Sequence, residues 1–130
     1  MMGQEVACIT PRCNKFASGL VREVLAEVSE IGCARGDAMI VASELVTNAV
    51  RHSMCSEDEL LTVRVVREVD HVRISVLDPG RAGRTATLSD RPDVFGGLGL
   101  MIVERLTARW GSQRLADGYE FWAELPRATW

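Results

Sequence analysis

The stretch LLTVRVVREVDHVRISVLD, residues 60–78, constrains the fold more than any other part of this chain. Val and Ile alternate with polar residues on both sides of a break near REVDH, and alternation of β-branched residues with period two is the pattern of a half-buried strand. Two such runs around one short polar break predict an antiparallel pair. Val72, Ile74, Val76 and then Asp78 fall on one side of the second strand. That side needs a cover, and the rest of the chain offers helices for it.

EVACIT near the start is a short β-compatible run, after which Pro11 and Asn14 introduce a helix over 15–32. Phe16, Leu20, Val24, Leu25 and Val28 stand at helical spacing in it, and Gly32 closes it. Asp37 suits the cap of a second helix over 38–52, with Arg51 and His52 in the last turn, where cations complement the dipole. An acidic loop, SMCSEDE, leads into the strand pair. After it, 79–96 carries Arg81, Arg84 and Arg91 with little apolar periodicity, and so long a loop in a small domain is usually functional or mobile. GLGLMIVERLTARWG, 97–111, resumes a helix, and SQRLADGYEFWAEL closes the chain as a hairpin turning at Asp117-Gly118. The order β-α-α-β-β-loop-α-β-β predicts an α+β two-layer sandwich, with helices on one face of a mainly antiparallel sheet. With 130 residues, one domain over 1–130 is expected.

Composition excludes some functions. A net charge of −3 gives no electrostatic footprint for a phosphate backbone, so direct nucleic-acid binding is not expected. No apolar run approaches the ~18 residues that span a bilayer, so no membrane partner is expected. Cys8, Cys13, Cys33 and Cys55 lack the paired spacing of a zinc or dithiol site and follow no secretory leader, which predicts reduced thiols in a cytoplasmic protein.

Three places carry candidate chemistry. In ASELVTNAVRHS, Glu44 and Asn48 are four apart and share a helix face beside Val41, Leu45 and Ala49. A carboxylate can orient a nucleophile's proton, and an amide oxygen can anchor magnesium, which keeps waters and substrate phosphates as its other ligands. On the helix alone, the polar border of an amphipathic helix is the simpler account. Asp78 continues the inward alternation of its strand just before Pro79-Gly80, where a buried carboxylate needs a partner such as a ligand's amino group; a strand-end Asp starting a turn is the alternative. FGGLGL, 95–100, opens a helix with Gly96, Gly97 and Gly99, whose free N–H groups suit an anion or a flexible hinge. No Gly-Lys-Ser/Thr follows, so it is not a P-loop.

Taken in order, ELVTNAVRH, DPGRAG and GGLGLMIVERL resemble the N box and two glycine boxes of the GHKL ATP-binding superfamily, and within it the small bacterial anti-sigma-factor serine/threonine kinases. The resemblance implies the histidine-kinase-like ATPase fold, with ATP and Mg bound. It implies Glu44 as general base and Asn48 as magnesium ligand. Asp78 would accept from the adenine amino group, with Gly80 against the base, and Gly83, one step late in the glycine box, is counted with the cofactor-binding residues. The loop from Arg81 to Phe95 would be a lid, and Gly97, Leu98, Gly99 and Leu100 would cradle phosphate. It further implies a sigma factor and an anti-anti-sigma protein as partners, the latter phosphorylated on Ser or Thr, and a homodimer. A non-catalytic partner-switching module on the same fold is the rival. The chain departs from the family at Ala82, where the glycine box has its last Gly, and at Glu120, where a Thr is usual; a Glu facing the pocket would set its charge near Asp78.

Overall fold

Alternation fixes the sheet. In the computed structural model the described residues are 3–52, 55–79, 97–116 and 118–126, with the backbone alone for His52 and 97–100. The strands are β1 (Gln4–Ile9), β2 (Thr62–Arg67), β3 (His71–Asp78), β4 (Arg109–Leu115) and β5 (Gly118–Pro126). They form one sheet in the order β1-β2-β3-β5-β4, every neighbour antiparallel. Val63 and Val65 of β2 pair with Val76 and Ile74 of β3, so the predicted strand pair has the register its alternation requires. Val72, Ile74 and Val76 are sealed with Tyr119, Phe121, Ala123 and Leu125 of β5 in the core.

The helices that cover this face are α1 (Ala17–Ala26), α2 (Arg35–His52) and α3 (Gly97–Leu106). α2 touches β3, β5, α1 and α3, which makes it the central element of the helical layer. Arg22 of α1 is tied to it by a 2.6 Å hydrogen bond donated to the buried Ser43 hydroxyl. The fold class is therefore the α+β sandwich expected. Among the described residues no helix is long and apolar enough to cross a membrane.

Four local expectations are corrected. First, α1 ends at Ala26 rather than Gly32: Glu27 and Val28 N–H bond back three residues to Val24 and Leu25, tightening the helix before a 3-10 segment, Ser29–Ala34. Gly32 lies inside that segment with φ of 80°, the left-handed region glycine tolerates. Second, α1 buries Ala17, Val21 and Leu25, while Phe16, Leu20 and Val24 face solvent. Of the residues read at helical spacing, Leu25 is in the core and Val28 packs against it, so the period identified the helix but not which side of it is buried. Third, α2 begins at Arg35 and Asp37 sits within its first turn, where a carboxylate still suits the dipole.

Fourth, α3 stops at Leu106, and Arg109, Trp110 and Gly111 belong to β4. Thr107 turns its hydroxyl onto the Val103 carbonyl at 2.6 Å and ends the helix. Gly111 lies under the Trp122 indole, where a Cβ would come within 3.1 Å of the ring. The closing hairpin β4–β5 forms as expected, though Asp117 of its turn lies outside the described residues.

The thiols also differ from expectation. Cys13 and Cys55 are joined in a disulfide across 42 positions of sequence, with their Cα atoms 6.5 Å apart, while Cys8 and Cys33 are free and exposed. The spacing carried no signal of this pair. Cys13 N–H bonds the Glu59 carbonyl and Leu61 N–H bonds the Pro11 carbonyl, and that ladder brings the two cysteines together.

Candidate functional site

α2 holds two of the predicted residues by its own geometry. Glu44 and Asn48 stand one turn apart on the same face. Leu45 and Ala49 beside them are core residues, and Asn48, 4% exposed, is drawn in with them while Glu44 is half-buried. This places an amide and a carboxylate at the margin of the core, on the helix that packs on β3, β5 and α3.

Asp78 ends β3 on the helix side of the sheet, in line with Val72, Ile74 and Val76, and is 2% exposed. Its partner in the register is Tyr119, itself sealed, with the ring centroid 5.3 Å from that of Phe121 and the hydroxyl 3.3 Å from Ser112 Oγ. Gly118 precedes Tyr119 and lies against the backbone of Asp78: a Cβ there would run into the Asp78 carbonyl oxygen, with Pro79 Cα 3.5 Å away. Glycine is what lets β5 begin so close to this carboxylate.

Glu120 does not lie where the departure from the family suggested. It pairs with Leu77, on the opposite face of the sheet from Asp78. There its carboxylate accepts from Gln113 Nε2 at 2.5 Å and stands 3.7 Å from Arg73. Its charge is spent on the solvent side, and the residue on the pocket side is Tyr119. Counting back in twos from the buried Leu125 would have identified it.

The outer face holds a network that has no local signature in the sequence. Glu124 accepts from Arg73 Nη1 at 2.9 Å and from Arg109 Nη2 and Nε at 2.6 and 3.0 Å, with His71 Nε2 3.7 Å away. Burial works to raise the Glu124 pKa, but the hydrogen bonds from Arg109 and Arg73, with the nearby positive charge, hold it below the ordinary carboxylate value. The Arg73 guanidinium also stacks on Trp122, its carbon 4.5 Å from the ring centroid. Asp70 is lowered chiefly by its 2.7 Å hydrogen bond with His71.

The other predicted residues divide in two. α3 opens at Gly97, so Gly97, Leu98, Gly99 and Leu100 form its first turn, where backbone N–H groups are free of helical partners. Gly80 and Gly83, with Ala82, Arg81, Arg84, Arg91, Gly96 and the rest of the proposed lid, lie outside the described residues.

Among the described residues no group of three or more His, Cys, Asp or Glu could enclose a metal. A buried Asn48 amide beside Glu44 fits the different demand of magnesium held mainly by phosphates and water, with one protein oxygen as anchor. A buried carboxylate at the end of β3 fits recognition of an amino group. A cleft of about 260 Å³ between the start of α1 and the end of α2, lined by Lys15, Ser18, Thr47 and Arg51 among others, contains none of Glu44, Asn48 or Asp78.

Comparison with known proteins agrees with this geometry. Residues 13–120 match the family model of the histidine kinase-like ATPase domain, the greater part of the chain. No curated protein matches. Among solved structures, the RsbU and RsbW domains of Rv1364c from Mycobacterium tuberculosis superpose with a TM-score of 0.62 and 24% identity, over 92% of this chain and 32% of that one. This likeness speaks for the fold, and the chain spans about a third of the solved chain's length. The sheet order, the α2 face and the match over 13–120 together establish that the chain belongs to the family of histidine kinase-like ATPase domains.

Proposed function

We propose that this chain binds Mg-ATP, sequesters an RNA polymerase sigma factor in the cytoplasm, and phosphorylates a Ser or Thr of an anti-anti-sigma protein. The observation that carries this reading is the pairing of Glu44 and Asn48 on α2 with a buried Asp78, within a domain of an ATPase family. ATP, when bound, supplies the phosphoryl group. Asp78 would accept a hydrogen bond from the adenine amino group, and the glycine box that holds Gly80 and Gly83 would serve the same nucleotide. Asn48 would hold magnesium by its amide oxygen, and the N–H groups from Gly97 to Leu100 would hold phosphate. Glu44 takes the proton from the attacking hydroxyl. Phosphoryl transfer depends mainly on positioning and charge stabilisation, which these groups can supply.

The sigma factor and the anti-anti-sigma protein enter through the family resemblance of the three motifs. A partner-switching module without transfer is the second reading. Ala82 in the glycine box favours it, and the outward course of Glu120 removes the other argument for it. Incubation with labelled ATP and a candidate anti-anti-sigma protein separates the two. The kinase reading predicts label on a Ser or Thr that disappears with Glu44→Ala while the variant still binds the sigma factor. A wild-type chain that binds ATP and both proteins but transfers nothing would leave the module.

A further inference from the structure

Cys13 and Cys55 lie where a covalent bond can govern how two helices meet. Cys13 comes just before α1, and Cys55 comes just after α2 ends at His52. The disulfide therefore ties the entry of one helix to the exit of the other, and its loop of 42 positions encloses Glu44 and Asn48. Between those two helix ends a cleft of about 260 Å³, with Lys15 and Ser18 on one side and Thr47, Val50 and Arg51 on the other, interrupts the packing. At this end the tether supplies what packing does not. The residues that follow Asn48 are the last turn of α2, whose carbonyls lack helical partners and where a helix opens first.

The pair is also built to close again after it opens. Cys13 is 4% exposed and belongs to the core, and Cys55, half-buried, packs against it. The backbone holds both places without the sulfurs. Cys13 N–H donates to the Glu59 carbonyl at 2.9 Å and Leu61 N–H to the Pro11 carbonyl at 2.8 Å, while Arg12 and Leu60 form an antiparallel bridge. The turn after Cys55 is closed by Glu59 N–H on the Ser56 carbonyl at 3.0 Å and by Ser56 N–H on the Glu59 carboxylate at 2.8 Å. Reduction thus leaves two thiols close together on a frame that stays in place. In the cytoplasm, where the proposed function puts this chain, thiol buffers keep cysteines reduced, and a disulfide that does form there is characteristically a redox-sensing one.

We infer that Cys13 and Cys55 are a reversible thiol switch on the nucleotide site: the disulfide holds the last turn of α2, and with it Asn48, in place for Mg-ATP, and the dithiol form binds Mg-ATP more weakly. The inference rests on the proposed ATP site and concerns its regulation. The oxidant is a small-molecule disulfide. The more exposed Cys55 thiolate attacks one of its sulfurs and expels a thiolate, which leaves a mixed disulfide on Cys55. The Cys13 thiolate then attacks Cys55 Sγ and expels the second small thiolate. Two electrons pass to the small molecule, and the two protons given up by the cysteines end on the two thiols released. Reduction by two small thiols runs the same steps backwards. Because binding and oxidation are linked, the factor that oxidation adds to Mg-ATP affinity is the factor that Mg-ATP adds to the oxidation equilibrium.

Calorimetry with Mg-ATP on the full chain, reduced and oxidised, tests it in a Cys8→Ser, Cys33→Ser background that removes the two exposed thiols. The expected result is about tenfold tighter binding by the oxidised form, with Cys55→Ser binding weakly under both conditions. In mixtures of reduced and oxidised glutathione the pair should open and close reversibly. Saturating Mg-ATP should move that equilibrium about tenfold toward the disulfide, a midpoint about 30 mV lower. Hydrogen exchange of the last-turn amides of α2 should be faster in the dithiol form, while the core strands keep their protection. Equal affinity of the two forms, or a bond that millimolar glutathione neither opens nor re-forms, would overturn the switch and leave a structural cross-link. No binding by either form would overturn the nucleotide reading and its regulation together, whereas equal binding by both overturns the regulation alone.

Discussion

Glu44 and Asn48 share one helix face, yet the account assigns them separable losses. Asn48→Ala removes the oxygen proposed to anchor magnesium and should lower affinity for Mg-ATP about tenfold or more, measured by calorimetry, with little effect on binding of metal-free nucleotide. Glu44→Gln keeps size and hydrogen bonding but cannot take a proton. It should bind Mg-ATP normally and lose about 10²–10⁴-fold in transfer rate, read in a single-turnover phosphorylation assay. Equal loss of binding in both variants would contradict the division of roles. Gly118 tests the setting of Asp78 from the neighbouring strand. Because a Cβ at 118 meets the Asp78 carbonyl oxygen, Gly118→Ala should cost about 1–3 kcal/mol in urea unfolding and shift preference between ATP and GTP. A stability loss with unaltered base preference would make Gly118 a purely structural residue.

At the scale of elements, legibility followed how many physical signals agreed. β2 and β3 were readable because alternation, β-branching and a polar break all point one way, and α2 because its apolar stripe runs unbroken for four turns. In α1 two adjacent rows are apolar, and only packing against α2 and the sheet decides that Val21 rather than Leu20 goes inside. The end of α3 was misplaced because Arg109 and Trp110 continue a helical pattern, while Thr107 and the pairing of β4 with β5 set the boundary. In the candidate site, Glu44, Asn48 and Asp78 were legible from spacing within one element, whereas Tyr119 and the outward turn of Glu120 depend on register between strands. The Arg73–Glu124–Arg109 network, drawn from three strands, had no local signature. Its depressed Glu124 pKa makes a prediction in pH. The stabilisation is complete above the ordinary value of 4.5 and is lost as pH falls through the lower folded-state value. Wild type should therefore exceed Glu124→Gln by about 1–3 kcal/mol near neutral pH, and urea unfolding should show that advantage shrinking below pH ~4. An advantage independent of pH would mean that charge is not what holds the outer face.

For the whole molecule, the disulfide and the nucleotide act on the same equilibrium from different sides. Cys13–Cys55 closes a loop of 42 positions, and restricting the unfolded chain in this way should contribute about 2–4 kcal/mol, seen as a lower melting temperature after reduction. Cys8→Ser and Cys33→Ser should leave that difference unchanged, since both thiols are free and exposed. A ligand instead stabilises only the folded state, in proportion to its occupancy. Membership of an ATPase family, a buried carboxylate at the end of β3 and an amide on α2 all bear on one claim, that this chain holds ATP. Thermal unfolding with and without Mg-ATP measures it most directly. At about 100 times the dissociation constant the folded state should gain ~2.7 kcal/mol, and the shift should vanish in Asp78→Asn and Asn48→Ala. No shift in the wild type at millimolar Mg-ATP would contradict the nucleotide site and, with it, the kinase.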